Sequence, residues 1–343
     1  MTVQEQISTL REDGPSRAPA ERQADRGFSL PVGWWPIGHA SEFTGKPRPV
    51  KLGVQPVAVY RDGDGTVHAV LDRCPHRRLP LSMGRVIDEG LQCGYHGWTF
   101  DGADGQCTLI PNFKAGETPS SRIKVAAYPI TENEGLVFLW TGAGDPESPS
   151  GLVPLSVGPA TSSSAVVCGT ALVRAPYERI SEALLLNPGA ALNLGPLLGS
   201  GDEVLGPDQE SDGEGRAVTV RRDRLTLDLP RIQTFEAPLG GVTTVSEITT
   251  LVATGFTTVV ADTPAGGSVR VLAALTPTGP HCTTVRWRVQ AHGNAARSLL
   301  AACRAAAAAK QLTGRAGRPL EAAADAVETA FDPALDQLRA LRA

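Results

Sequence analysis

The sequence predicts an α+β protein in two parts: a small all-β domain, then a larger domain in which an antiparallel sheet wraps around a helix. Three observations predict it. Residues 30–140 read as short apolar runs separated by Gly- and Asp-rich turns, with no helical period. Residues 142–151 are dominated by Gly, Asp, Pro and Ser, the composition of a linker. From 152 onward the rhythm changes to strand, helix, several long β-type segments and closing helices.

The elements follow in order. Residues 56–60 and 66–71 form a hairpin around the turn Arg61-Asp62-Gly63-Asp64-Gly65, and Leu91-Gln92 and Trp98-Thr99-Phe100 flank a tight loop. A turn at 101–105 and strands at 128–130 and 135–140 complete the first domain. The expected boundaries are a flexible tail at 1–28, a first domain at 29–145 and a second at 152–343. In the second, a strand at 165–173 precedes a helix from 176 to about 198, then a polar loop at 199–216. Four β-type segments are expected at 217–229, 242–252, 257–262 and 268–289. An Ala-rich helix at 295–310 and a second at 319–342 close the chain.

Composition excludes several classes of function. With 343 residues, 41% hydrophobic and 20% charged, the chain suits two ordinary globular domains. A net charge of −4 gives no basis for binding nucleic acid or an anionic membrane. No apolar run approaches the roughly 20 residues that span a bilayer. Residues 1–27 are polar throughout and lack the apolar core of a secretory signal, so a cytoplasmic location is expected. Of the six cysteines, 107, 168, 282 and 303 are scattered and are expected as free thiols.

The chemistry is concentrated between Cys74 and Trp98. Cys74-Pro75-His76-Arg77 is followed, sixteen residues after His76, by Cys93-Gly94-Tyr95-His96-Gly97-Trp98. Each loop offers one thiolate and one imidazole. Two Cys and two His can hold a tetrahedral zinc, but structural zinc sites usually pair like with like on each knuckle. The mixed order suits a 2Fe–2S cluster with both cysteines on one iron and both histidines on the other, the Rieske arrangement.

These loops, with Trp34-Trp35-Pro36-Ile37, Leu71-Asp72-Arg73, Leu81-Ser82-Met83-Gly84, Asp104-Gly105-Gln106-Cys107 and Ile110-Pro111, make the chain resemble the Rieske non-heme iron oxygenases, oxygenase (alpha) subunit. The branch typified by vanillate demethylase and dicamba monooxygenase is the most similar in style. The resemblance implies a helix-grip second domain and a 2Fe–2S cluster on Cys74, His76, Cys93 and His96. It also implies electron supply from a ferredoxin or ferredoxin reductase. In that family a mononuclear iron sits in the second domain on two His and one carboxylate, the histidines within D-x2-H-x4-H.

Here the match ends. In the corresponding patch, 182–195, the acidic position falls on Leu186 and the two histidines on Gly189 and Leu194. The six histidines are 39, 68, 76, 96, 281 and 292, so none lies between Gly97 and Pro280. His281 and His292 sit eleven residues apart on one apparent strand, about 36 Å if extended. His39 and His68 are expected as scaffold. Carboxylates at Asp325, Glu328, Asp332 and Asp336 suit the solvated face of an amphipathic helix. The mononuclear iron is therefore expected to be absent, with no catalytic residue assigned. The expected role is an electron-transfer subunit in a trimer-type hetero-oligomeric ring with a catalytic paralogue. The alternatives are a stand-alone oxidoreductase with an unusual or iron-free site for a hydrophobic small molecule, an oxygenase with a displaced iron, and a scaffold whose cluster is structural or redox-sensing.

Overall fold

A computed structural model describes residues 30–114, 116–146, 148, 164–192, 194, 198, 208–211, 217–227, 242–252, 254–263, 267–293, 318–327 and 333–342. The chain divides into two compact units, Met1–Leu152 and Val153–Ala343. The expected tail at 1–28 and the Ala-rich helix at 295–310 lie outside the described residues.

The first unit contains three small antiparallel sheets. One runs in the order β1 (Trp34–His39), β10 (Leu136–Trp140), β9 (Ile130–Asn133). The second is β2 (Arg48–Leu52), β3 (Gln55–Arg61), β4 (Val67–Leu71); the third is β5 (Arg85–Ile87), β6 (Gly90–Gln92), β7 (Thr99–Phe100), β8 (Cys107–Leu109). The uninterrupted apolar run of β10 is explained by burial of every one of its residues. The β3–β4 hairpin closes where the Asp62 carboxylate accepts from the Asp64 and Thr66 amides, at 3.0 and 2.8 Å. Gly65 takes the left-handed conformation, φ +83, that such a turn needs. Tyr60, Leu81, Leu91, Trp98 and Phe100 then form a core around Cys74 and Cys93.

The second unit is a seven-stranded sheet with helices packed on it. Its strands are β11 (Ser164–Val173), β12 (Asp208–Ser211), β13 (Ala217–Leu227), β14 (Val242–Val252), β15 (Phe256–Thr263), β16 (Gly267–Gly279) and β17 (Cys282–His292). The order is β11-β17-β16-β15-β14-β13-β12, so all but β11 form an antiparallel meander and β11 adds beside β17. The described helices are α1 (Tyr177–Leu186), α2 (Pro188–Ala191), α3 (Arg318–Ala326) and α4 (Pro333–Arg342). Ile180, Ala183, Leu184 and Leu185 of α1 share one core with Val218, Val220, Leu275 and Val285 of the sheet and with Leu320, Ala324, Leu335 and Leu338 of the closing helices.

Four expectations are corrected. The helix expected from 176 to 198 stops at Leu186, because the residue before Pro188 is driven out of the helical region and Asn187 sits at φ −151, ψ 80. Asn187 then caps α2, its Oδ1 accepting from the Ala190 amide at 3.0 Å. The segment expected at 268–289 is two strands, turned at Pro280 and His281. The loop expected at 199–216 contains β12. The closing helix expected at 319–342 is two helices, the second opening on Pro333.

Candidate metal centre

Two short loops of the same design build the site. The first leaves β4 and closes where the Cys74 amide donates to the Leu79 carbonyl and the Arg78 amide to the Cys74 carbonyl, both at 2.8 Å. Arg78 is left-handed, φ 59, which bends the chain back under the cysteine. The second leaves β6 and closes with the Cys93 amide on the Trp98 carbonyl at 2.8 Å and the Gly97 amide on the Cys93 carbonyl at 3.2 Å. Glycine is required at 97: φ is +69, and a Cβ there would lie 2.8 Å from the Pro111 ring. Asp72 ties the first loop to the 3-10 turn at Leu81–Met83. Its buried carboxylate accepts from the Ser82 amide and the Ser82 hydroxyl, each at 2.7 Å.

The four expected ligands converge as two pairs. The main-chain N–H groups of His76 and Arg77 act to lower the Cys74 thiol, and those of Tyr95 and His96 the Cys93 thiol. The two buried cysteines also act on each other. That interaction holds Cys93 below the usual thiol range and pushes Cys74 above it, with burial adding to the rise at Cys74. The imidazoles of His76 and His96 lie 4.6 Å apart between centroids at 51°. Burial first, then the charges of His96 and Arg77, holds His76 below its ordinary value.

The two histidines are not equivalent. Trp98, 3% exposed, stacks on His76 at 4.6 Å and 7°, and His76 Nε2 is sealed from solvent without a hydrogen-bond partner. His96 is exposed and carries Tyr95 against it at 3.8 Å. On and next to the two loops, Met83 and Tyr95 are 73% and 58% exposed, and Arg77, Arg78 and Arg85 are exposed too.

This donor set fits a binuclear cluster. Among the described residues, no three of His, Cys, Asp and Glu gather as a single-ion site would require; the donors come two and two. Paired sulfurs, each favoured as thiolate by main-chain N–H groups, suit one iron, and paired imidazoles suit the other. The orphaned Nε2 of His76 is the kind of buried polar atom that calls for a bound group or a docked partner.

The second unit places the remaining candidates. Leu186 ends α1 and packs partly buried against the helix core, Gly189 is buried in α2, and Leu194 is buried in an apolar cluster with Leu198, Val271 and Val289. None carries a metal-ligating side chain. Asp325 and Asp336 are exposed, while Glu328 and Asp332 lie outside the described residues. His281 is in the turn before β17 rather than on the strand, and His292 is at that strand's far end, its Nε2 3.0 Å from the Gln290 amide nitrogen. His68 is scaffold, its Nε2 2.7 Å from Asp62 Oδ2.

Two features escaped the sequence. Asp72 as the anchor of the first loop had a signal, its place two residues before Cys74, but its partner Ser82 had none. The buried Glu182, met by Arg339 and Arg342 from the last turns of the chain, had only the two arginines three residues apart on one helix face.

Comparison with known proteins agrees with this geometry. The sequence profile of the Rieske 2Fe-2S domain matches residues 33–129. The chain is 40% identical over 140 residues to 4beta-methylsterol monooxygenase of Methylococcus capsulatus, covering 39% of this chain and 37% of that protein. It is 40% identical over 109 residues to the oxygenase component of dicamba O-demethylase of Stenotrophomonas maltophilia, covering 32% of this chain and 31% of that one. These alignments span about a third of the relatives' own length. The fold extends further: the crystal structure of dicamba monooxygenase bound to dicamba superposes with a TM-score of 0.63 at 20% identity, over 90% of this chain and 94% of that one. Residues 33–129 are therefore a Rieske 2Fe-2S domain, and the chain shares the fold of dicamba monooxygenase.

Proposed function

We propose that this chain is an electron-transfer subunit of a heteromeric Rieske oxygenase, passing electrons to the mononuclear iron of a catalytic paralogue. One contrast carries the proposal: Cys74, Cys93, His76 and His96 supply a full set of paired donors, while the positions that the resemblance assigns to the second metal are Leu186, Gly189 and Leu194, none with a metal-ligating side chain. Cys74 and Cys93 would hold one iron and His76 and His96 the other. A cluster so held supplies one-electron chemistry at about −150 to +300 mV. The chain's own residues do the rest. Main-chain N–H groups from both loops stabilise negative charge on the sulfurs. Trp98 closes one side of the site to water, and His96 faces outward.

The surface around His96 suits partner proteins. Met83 and Tyr95 offer exposed apolar contact, and the exposed Arg77, Arg78 and Arg85 on or close to the loops in sequence add positive charge, which favours an acidic donor of the ferredoxin or ferredoxin reductase class. Delivery to a catalytic paralogue in a ring of three follows the family's assembly. The chain needs no export for this, and we place it in the cytoplasm; among the described residues no helix is long and apolar enough to cross a membrane. The alternative is a stand-alone oxidoreductase acting on a hydrophobic small molecule.

Rapid mixing separates the two. The reduced chain is mixed with a paralogue that carries an intact D-x2-H-x4-H, in the presence of oxygen and that paralogue's substrate. Product formed with stoichiometric loss of the reduced cluster signal is expected. Turnover by this chain alone, unaffected by the paralogue, would overturn the proposal in favour of the second function.

A further inference from the structure

The geometry points to Trp98 as a positioning residue that fixes the His76 ligand and sets the reduction potential of the centre. The inference rests on the cluster assignment above and goes beyond it. Trp98 belongs to both loops at once. Its carbonyl accepts from the Cys93 amide at 2.8 Å and so closes the second loop, while its indole lies flat on the histidine of the first, 4.6 Å away at 7°. The left-handed turn at Gly97, backed by Pro111, sets the direction from which the indole approaches.

The consequences for His76 are two. The χ2 torsion of a histidine is broad and roughly two-fold, so an unsupported imidazole can swing. A parallel aromatic face removes that freedom and holds the ring at one angle to its metal. The indole is also largely apolar and 3% exposed, so water is excluded from that face of His76, whereas His96 stays exposed. One-electron reduction takes a centre held by two thiolates and two neutral imidazoles from neutral to singly negative. Water stabilises the charged state and an apolar wall does not, so the indole holds the potential down. Trp98 thereby divides the roles of the two histidines: His76 is the fixed ligand, shielded on its indole face, and His96 the ligand presented to partners.

The test compares Trp98→Leu and Trp98→Phe with the parent chain. Reconstituted full-length Trp98→Leu is expected to give a higher midpoint potential at fixed pH and altered g-values in its reduced spectrum. Trp98→Phe, which keeps an aromatic face, is expected to return both most of the way. A midpoint that is unchanged or lower in a fully loaded Trp98→Leu would overturn the inference. Where Trp98→Leu does not load, the metal-free parent chain decides. Ring-current shifts should move the His76 ring protons upfield in the parent and release them in Trp98→Phe to a smaller displacement; ordinary His76 shifts in the parent would overturn it. Failure of the parent chain itself to bind a 2Fe–2S cluster would instead sink the cluster assignment, so the two failures are distinguishable.

Discussion

Arg339 of α4 grips Glu182 of α1 with two hydrogen bonds, Nε to Oε1 at 3.3 Å and Nη2 to Oε2 at 3.0 Å, across 157 residues of sequence. Arg342 adds a third contact to Oε1 at 3.4 Å, donates to the buried Ser181 hydroxyl and lies over the Tyr177 ring at 5.5 Å. The closing helix is thus fastened to α1 one turn before Leu186. Glu182 is 5% exposed, so removing its charge leaves Arg342, also well buried, short of a counter-ion.

Glu182→Gln should therefore destabilise the second unit by about 2–3 kcal/mol, less than a fully buried pair loses because Arg339 is half exposed. Denaturant unfolding monitored by far-UV dichroism measures it. The visible spectrum of the loaded cluster should be unchanged, since the contact lies wholly within the second unit.

Asp72→Ala should act on the first unit instead. It removes both acceptors of Ser82, at 2.7 Å each, and leaves a buried amide unpaired, at a cost of about 1–3 kcal/mol. The first loop then loses its anchor to Leu81–Met83. The expected result is faster loss of iron on incubation with a chelator; retention as in the parent would count against the anchor.

Much of this was legible in the sequence. The two loops could be read because their spacing, their glycines and their four donors are local, and the β3–β4 hairpin because Asp62 and Gly65 announce it within five residues. What could not be read depends on distant partners or on backbone breaks. The 278–281 turn was hidden inside a continuous β-type pattern although Gly279-Pro280 marks it. Asn187 ended α1 against an unbroken apolar run, with Pro188 as the overlooked cause. The Glu182–Arg339 contact left only a faint trace, two arginines three residues apart, because its partner is set by how α4 packs.

Stability should also depend on pH through Asp62. Its hydrogen bond with His68, followed by the amides of Thr66 and Asp64, holds its carboxyl below the usual value of about 3.9. A depressed carboxyl stabilises the folded chain above its ordinary pKa, and that contribution is lost as pH falls through the folded value. The Asp62 side chain is 31% exposed, so the effect is about 1 kcal/mol or less and weakens with salt. Melting temperatures between pH 3 and 6 should fall more steeply in the parent than in Asp62→Asn.

His96→Cys should hold the cluster through a third thiolate in place of one imidazole. The added negative charge lowers the potential, toward the −400 mV or so of all-cysteine plant-type clusters. Potentiometric titration should show that fall, and electron delivery to a catalytic paralogue should stop. Full delivery by His96→Cys would contradict a transfer role for this face.

The central claim is that the chain carries one cluster and no mononuclear iron of its own. Iron and acid-labile sulfide, counted per chain after reconstitution with excess ferrous iron and desalting, test it most directly. Two irons and two sulfides are expected, with no further iron retained. A third iron bound stoichiometrically and lost without loss of sulfide would contradict it.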